Sequence, residues 1–209
     1  MTHRTMTMIL ATVMLMFGGV NGWGQETWVR TFGGSGREEG HSITTTSDNG
    51  VLITGSTSSN NGDFEGMNKG DADIFVIKLN RDGEVLWKKT FGGEGIERGH
   101  SITTTSDNGV LITGHTSSKG GDFIGMNKGE EDIFVIKLDR DGEVLWKKTF
   151  GGSRYEQGYS ITTTSDNGVL ITGVTMSKDG DFKGMNKEVM DIFVIKLDKD
   201  GDVLWKKTF

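Results

Sequence analysis

The sequence predicts an all-β fold built from three tandem units, each of four short antiparallel strands. Three observations predict it. The segment HSITTTSDNGVLITG opens at His41 and returns almost unchanged at His100 and Tyr159, a period of 59 residues. Trp28, Trp87, Trp146 and Trp205 keep the same period. Such a repeat marks units that are too small to bury their apolar faces alone and must stack. The third observation is compositional. Hydrophobic residues are only 33% of the chain but come in compact β-branched bursts, with 33 glycines and no proline between them. That pattern suits short strands joined by tight turns, and the recurring Trp and Phe argue against disorder.

Each element of the first unit follows from local signals. Strand A is expected over His41–Thr46, and Ser47–Gly50 is a tight turn in which Gly50 is available for a positive φ. Strand B is expected over Val51–Thr57. A long polar loop covers Ser58 to Ala72. Strand C, DIFVIKL over Asp73–Leu79, is apolar on both faces and belongs inside a sheet. Asn80–Glu84 is the second hairpin turn, and strand D is Val85–Phe91. Gly92–Gly99 leads into the next unit. The repeats run about 41–99, 100–158 and 159–209, and TWVRTF at 27–32 reads as an extra N-terminal strand D. Four antiparallel strands in tandem repetition describe β-propeller blades.

The first 24 residues stand apart. Arg4 precedes an apolar stretch from Met6 to Phe17, and Gly22 and Gly24 sit where a signal peptidase needs small residues. The segment reads as a secretory signal peptide cut before Gln25, leaving 25–209 as the repeat domain. The apolar run is short for a membrane span. Removing it takes away Arg4 alone, so 22 basic residues face 29 acidic ones, a net charge of −7. An acidic domain has no general attraction for phosphate backbones, so nucleic acid is excluded as an expected partner. With no cysteine in the chain, stability must come from packing between repeats.

Gly40-His41, TTTSDNG, LITGST, DIFVIKL and Trp87 follow the order of a WD repeat, although the WD dipeptide is missing and the B–C loop is longer. TSDNG, VIKLD and LWKKTFGG bring the chain closer to secreted, Bacteroidetes-type β-propeller repeats, which it resembles over residues 26–209. The resemblance implies an exported or surface propeller and no reaction.

Strand direction alternates, so A–B and C–D turns share one end of each blade, and B–C and D–A loops share the other. The loop end differs most between repeats and is the expected place for binding. Its B–C loops keep Gly-Asp-Phe-x-Gly-Met-Asn-Lys. Asp63, Asn68 and Asp73, then Asp122, Asn127 and Asp132, then Asp181, Asn186 and Asp191 offer oxygens for a weak calcium expectation. The competing reading has Phe64 and Met67 pinning the loop while Asp63 bonds local backbone amides. The DRDGE and DKDGD turns look like calcium loops, but Lys137 stands where a ligand is required before Asp141, which leaves plain hairpins.

No catalytic constellation is legible. Of the histidines, His3 lies in the leader, His41 and His100 alternate with Tyr159, and His115 is isolated in the pattern. Lys88-Lys89, Lys147-Lys148 and Lys206-Lys207 are expected to protect an outer edge strand. The expected function is a non-enzymatic surface binding or adhesion module that contacts protein or glycan through the loop end. The alternative is a structural spacer, or a shortened relative of a longer surface protein. Three blades are too few to seal a ring, so an open arc is expected. Its bare faces would include Ile43, Val51, Ile53, Phe75 and Ile77 at one end, and Ile161, Val169, Ile171, Phe193 and Ile195 at the other. A homodimer closing a six-blade ring would cover them.

Overall fold

The computed structural model describes residues 27–209, so the expected signal peptide and its cleavage site lie outside the described residues. Three four-stranded sheets follow one another, each a simple antiparallel meander. Blade 1 holds β1 (Glu38–Thr45), β2 (Val51–Thr57), β3 (Asp73–Leu79) and β4 (Val85–Phe91). Blade 2 holds β5 (Glu97–Thr104), β6 (Val110–Thr116), β7 (Asp132–Leu138) and β8 (Val144–Phe150). Blade 3 holds β9 (Glu156–Thr163), β10 (Val169–Thr175), β11 (Asp191–Leu197) and β12 (Val203–Thr208). Strands B, C and D of the first unit fall where the apolar pattern sets them.

Strand A does not. It begins at Glu38, because the polar residues Glu38, Glu39 and Gly40 pair in register with Thr57, Ser56 and Gly55. Backbone pairing needs no apolar side chain, so EEG reads as loop from pattern alone. The register slips between Gly40 and Ser42, which leaves His41 as a bulge. The same slip recurs at His100 and Tyr159. The A–B turn also differs from expectation. The positive φ of 62° belongs to Asn49, not Gly50. Gly50 is required for another reason: a Cβ there would lie 2.4 Å from the Leu79 carbonyl oxygen.

Residues 27–32 form no strand. They take the place of a strand D, but a strand needs a ladder partner and, among the described residues, no strand C lies beside them. They are still seated. The Trp28 indole donates to the Arg81 carbonyl at 3.1 Å, and Phe32 packs on the cluster of Phe64, Phe75, Ile77 and Leu79.

The blades stack with β1 beside β5 and β5 beside β9. Core lies between blades. Leu52, Ile74, Val76 and Phe91 of blade 1 meet Ile112, Phe123, Phe134 and Ile136 of blade 2. Blades 2 and 3 repeat this with Leu111, Ile133, Val135 and Phe150 against Ile171, Phe182, Phe193 and Ile195. Full burial of one such side chain stabilises by about 1.5–3 kcal/mol. This stacking corrects the expected bare faces. All blades point the same way, so Ile161, Val169, Ile171, Phe193 and Ile195 are buried against blade 2. The bare side of blade 3 is the opposite pleat, with Ile192 56%, Trp205 44% and Phe209 66% exposed. At the other end Ile43 is bare, but Phe75 and Ile77 are covered by Phe64 and Phe32.

Candidate functional site

The loop end is an interlock. Each D–A connector is stitched to the B–C loop that follows it. Asp122 accepts from the Gly92 amide at 2.9 Å while its own amide donates to the Gly92 carbonyl at 2.9 Å. Asp63 with Gly33 and Asp181 with Gly151 make the same reciprocal pair. Glu94 accepts from the Lys119 and Gly120 amides, and Ser118 and Ser117 accept from Gly95 and Ile96. The preceding loop joins the same connector, since the Asp71 and Ala72 amides both donate to the Gly95 carbonyl. Phe64, Phe123 and Phe182 sit in short 3-10 turns and are fully buried. Phe is thus the pin, as the competing reading expects. Asp63 bonds backbone 30 residues away, not locally.

The remaining calcium candidates have partners of their own. Asp73, Asp132 and Asp191 accept from the amides of Lys69, Lys128 and Lys187. Asn68 and Asn127 accept from Gly70 and Gly129, and Asn186 donates to the Thr175 carbonyl. Lys69 binds Asp122, and Lys128 binds Asp181, each at 2.6 Å across a blade junction. Among the described residues, no three His, Asp or Glu side chains are grouped to hold a metal ion.

Two features escape sequence reasoning. Glu97 is fully buried and accepts from Gly93, Thr116 and Ser118. Glu156 does the same one blade on. Their invariance across the repeats was the available signal. Beside Glu97 lies Asp73, whose Oδ1 is buried without a hydrogen-bond partner. Burial first, then the Glu97 charge, pushes the Asp73 carboxyl up to about 7, against the pull of the Lys69 amide. Asp132 is pushed up to about 6, again mainly by burial.

At the inner rim, the bulged His41 and His100 direct Nδ1 to the Gly99 and Gly158 carbonyls at 2.9 and 3.0 Å, tying one blade to the next. His100 also stacks near Tyr159 and His115. Burial holds the His115 imidazole down to about 3. The paired lysines are ties as well as edge residues. Lys88 donates to the Asp63 carbonyl, and Lys89 meets Glu143 of blade 2 at 2.7 Å.

The third repeat departs from this frame around Arg154 and Glu188. A depression of about 470 Å³ is lined by Ser153, Arg154, Lys178, Asp179, Glu188 and Val189. Arg154 and Glu188 stand where the other two repeats have glycine. Arg154 and Glu188 therefore add side chains to the wall that the repeat frame does not use, beside Asp179, which accepts from the Ser153 amide as Asn61 does from Ser35.

Three four-stranded antiparallel sheets in tandem make this a chain of β-propeller-type blades, with a weak WD-repeat-like sequence similarity. It is 22% identical over 143 residues to an uncharacterized WD repeat-containing protein, L264, of Acanthamoeba polyphaga mimivirus, covering 64% of this chain. It is 24% identical over 117 residues to the regulatory protein FlaEY of Caulobacter vibrioides, covering 53% of this chain. The chain spans only 10% and 12% of those two proteins. No family model matches it. Among solved structures, a protein of unknown function from Bacteroides caccae is similar at TM-score 0.36 and 12% identity, covering 82% of this chain and 68% of that one. A Synechocystis apocarotenoid oxygenase is similar at TM-score 0.41 and 14% identity, covering 85% of this chain and 38% of that one.

Proposed function

We propose that the chain is an exported, non-catalytic interaction module of the secreted bacterial propeller-repeat kind, which holds a protein partner at its loop end. One observation carries the reading. The depression is lined by Arg154 and Glu188, two charged side chains that only the third repeat supplies, on a frame otherwise committed to holding blades together. Binding residues are found on loops that a rigid scaffold positions. The WD-like likeness supports a protein partner, and a glycan is the second class to test. Net charge argues against nucleic acid. The alternative is a spacer, favoured where the charged, interlocked loop end makes no contact of its own. Calcium enters only as a small stabiliser of the B–C loops, read as a rise in melting temperature between chelator and millimolar calcium.

The test uses the variant Arg154→Gly/Glu188→Gly, which returns those two positions to the glycines of the other repeats. Candidate surface proteins from the same host and a glycan array serve as probes. The expected result is binding by the wild type that the variant loses with its melting curve intact. Equal binding by both refutes the depression as the binding place, and none by either favours the spacer. N-terminal sequencing of the exported protein reads the processing step, and a retained Met1 would refute it.

A further inference from the structure

The bare side of blade 3 is the side by which blades 1 and 2 hold their neighbours, and it repeats their residues. At the inner junctions, Trp87 and Trp146 donate to the carbonyls of Arg140 and Lys199 at 3.2 and 3.3 Å. Lys89 and Lys148 meet Glu143 and Asp202. Lys69 and Lys128 meet Asp122 and Asp181. The hydroxyls of Ser42 and Ser101 accept from the amides of Ile102 and Ile161. Blade 3 carries the same set in Trp205, Lys207, Lys187 and Ser160. Blade 1 carries the matching acceptors and donor at the Arg81 carbonyl, Glu84, Asp63 and the Ile43 amide. The charges are complementary, with lysines on blade 3 facing carboxylates on blade 1.

The seat on blade 1 is partly taken. Trp28 holds the Arg81 carbonyl, and Arg30 holds the Gly83 carbonyl at 3.0 Å. This segment has no ladder partner among the described residues and leaves Ile43 68% exposed. A β12 strand from elsewhere would bring the same indole bond already paired to its own sheet.

We propose that a second copy of this chain seats its blade 1 on the bare side of blade 3, β12 replacing the second copy's Trp28–Phe32 segment. The junction is continuous in kind with the two inside the chain. Four positions differ at this end. Glu188 stands where the inner junctions have Gly70 and Gly129, which pack on the Gly93 and Gly152 carbonyls of the next blade, so the loop before β11 must shift to seat a second copy. Tyr159 replaces the histidine that ties inner strands, which removes one bond. Val189 and Met190 replace charged or small residues and are exposed, which adds apolar area to be covered. Two such junctions join two chains into six blades. The inference concerns the blade ends and rests on the open-arc reading, not on the loop-end ligand.

The full chain is measured by light scattering from 1 to about 100 µM, together with Ile192→Lys/Trp205→Lys and Trp28→Ala. Ile192 and Trp205 are exposed, so the double variant keeps its fold, checked by circular dichroism. The expected results are dimer for the wild type, monomer for the double variant, and association strengthened about tenfold when the seat is cleared by Trp28→Ala. Because the chain has no cysteine, Ser165→Cys and Asn49→Cys can be mixed and bridged with a short bismaleimide. These positions correspond to the inner contact of Ser106 with Asn167. Mixed crosslinks should exceed like-with-like ones. A monomer throughout for both wild type and Trp28→Ala overturns the proposal, as do dimers that survive the double variant or crosslink only like with like. Arg154→Gly alone should leave the mass unchanged, which separates failure here from failure of the loop-end reading.

Discussion

Both ends of each blade keep repeated residues, but for different physical reasons. At the hairpin end, constancy serves the local backbone. Asn49, Asn108 and Asn167 supply left-handed residues, and Gly83, Gly142 and Gly201 turn the C–D hairpins with φ from 78 to 85°. At the loop end, constancy serves neighbours. The Asp of each GDF turn, the Glu that opens strand A and the Lys after Met-Asn in the first two repeats bond across connectors or junctions. Repetition alone therefore does not mark a binding motif. Here the repeated loop residues build the frame, and the positions where one repeat departs are the ones left for a ligand.

The largest expected effect is at the loop end. Phe123 is fully buried between blades 1 and 2, and Phe123→Ala should cost about 3–5 kcal/mol. Denaturant unfolding measures it. A loss below 1 kcal/mol would mean that the loop is not a structural pin and would undo the comparison.

Next is Asp73, where pH sharpens the contrast. Its folded carboxyl sits near 7 against an ordinary 3.8. Between those values the folded state holds a proton that the unfolded state has lost, so stability falls as pH rises through that window. Asp73→Asn removes the charge and keeps an oxygen for the Lys69 amide. The variant should match the wild type near pH 4 and gain stability up to about pH 8, on the order of 2–4 kcal/mol. His115 acts oppositely. Its folded value of about 3 makes the wild type lose stability as pH falls below 6.5. The difference between the two proteins isolates Asp73, and a flat difference from pH 4 to 8 would show that Asp73 carries no excess proton.

Much of the fold was legible because its signals are local. The apolar runs of β2, β3 and β4 set their own boundaries, and Gly83 marks its hairpin. The loop end was not legible in the same way. Asp63 and Gly33 are 30 residues apart in different motifs, and only stacking of the units joins them. The start of strand A was hidden because Glu38 and Glu39 contribute backbone, not apolar area. The bare side of blade 3 was misplaced because residue pattern gives two faces but not the direction in which sheets stack. The depression at Arg154 and Glu188 was visible only as two glycines lost in one repeat.

At the hairpin end a smaller loss is expected. Gly142 has φ of 85° and lies under the Trp87 ring, where a Cβ would approach to 3.0 Å. Gly142→Ala should cost about 1–2 kcal/mol from left-handed strain. Its amide exchange should quicken within β7 and β8 while the loop-end amides of Gly92 and Asp122 keep their protection. Loss of protection at both ends together would show that the blade responds as one unit and that the division by end is wrong.

The smallest effect tests whether the hairpin end is local at all. Asn108 has φ of 62°, and its Oδ1 also accepts from the Ser47 hydroxyl of blade 1 at 2.6 Å. Two substitutions separate these roles. Asn108→Gly keeps the left-handed backbone and loses only the exposed contact, so stability should change by about 0.5 kcal/mol or less. Asn108→Ala loses the contact and also strains the turn, and should cost about 1 kcal/mol more than the glycine variant. Ser47→Ala removes the contact from the other side and should match Asn108→Gly. If Ser47→Ala and Asn108→Gly each cost as much as Asn108→Ala, the junction contact outweighs the turn. The hairpin end would then hold blades together by the same means as the loop end.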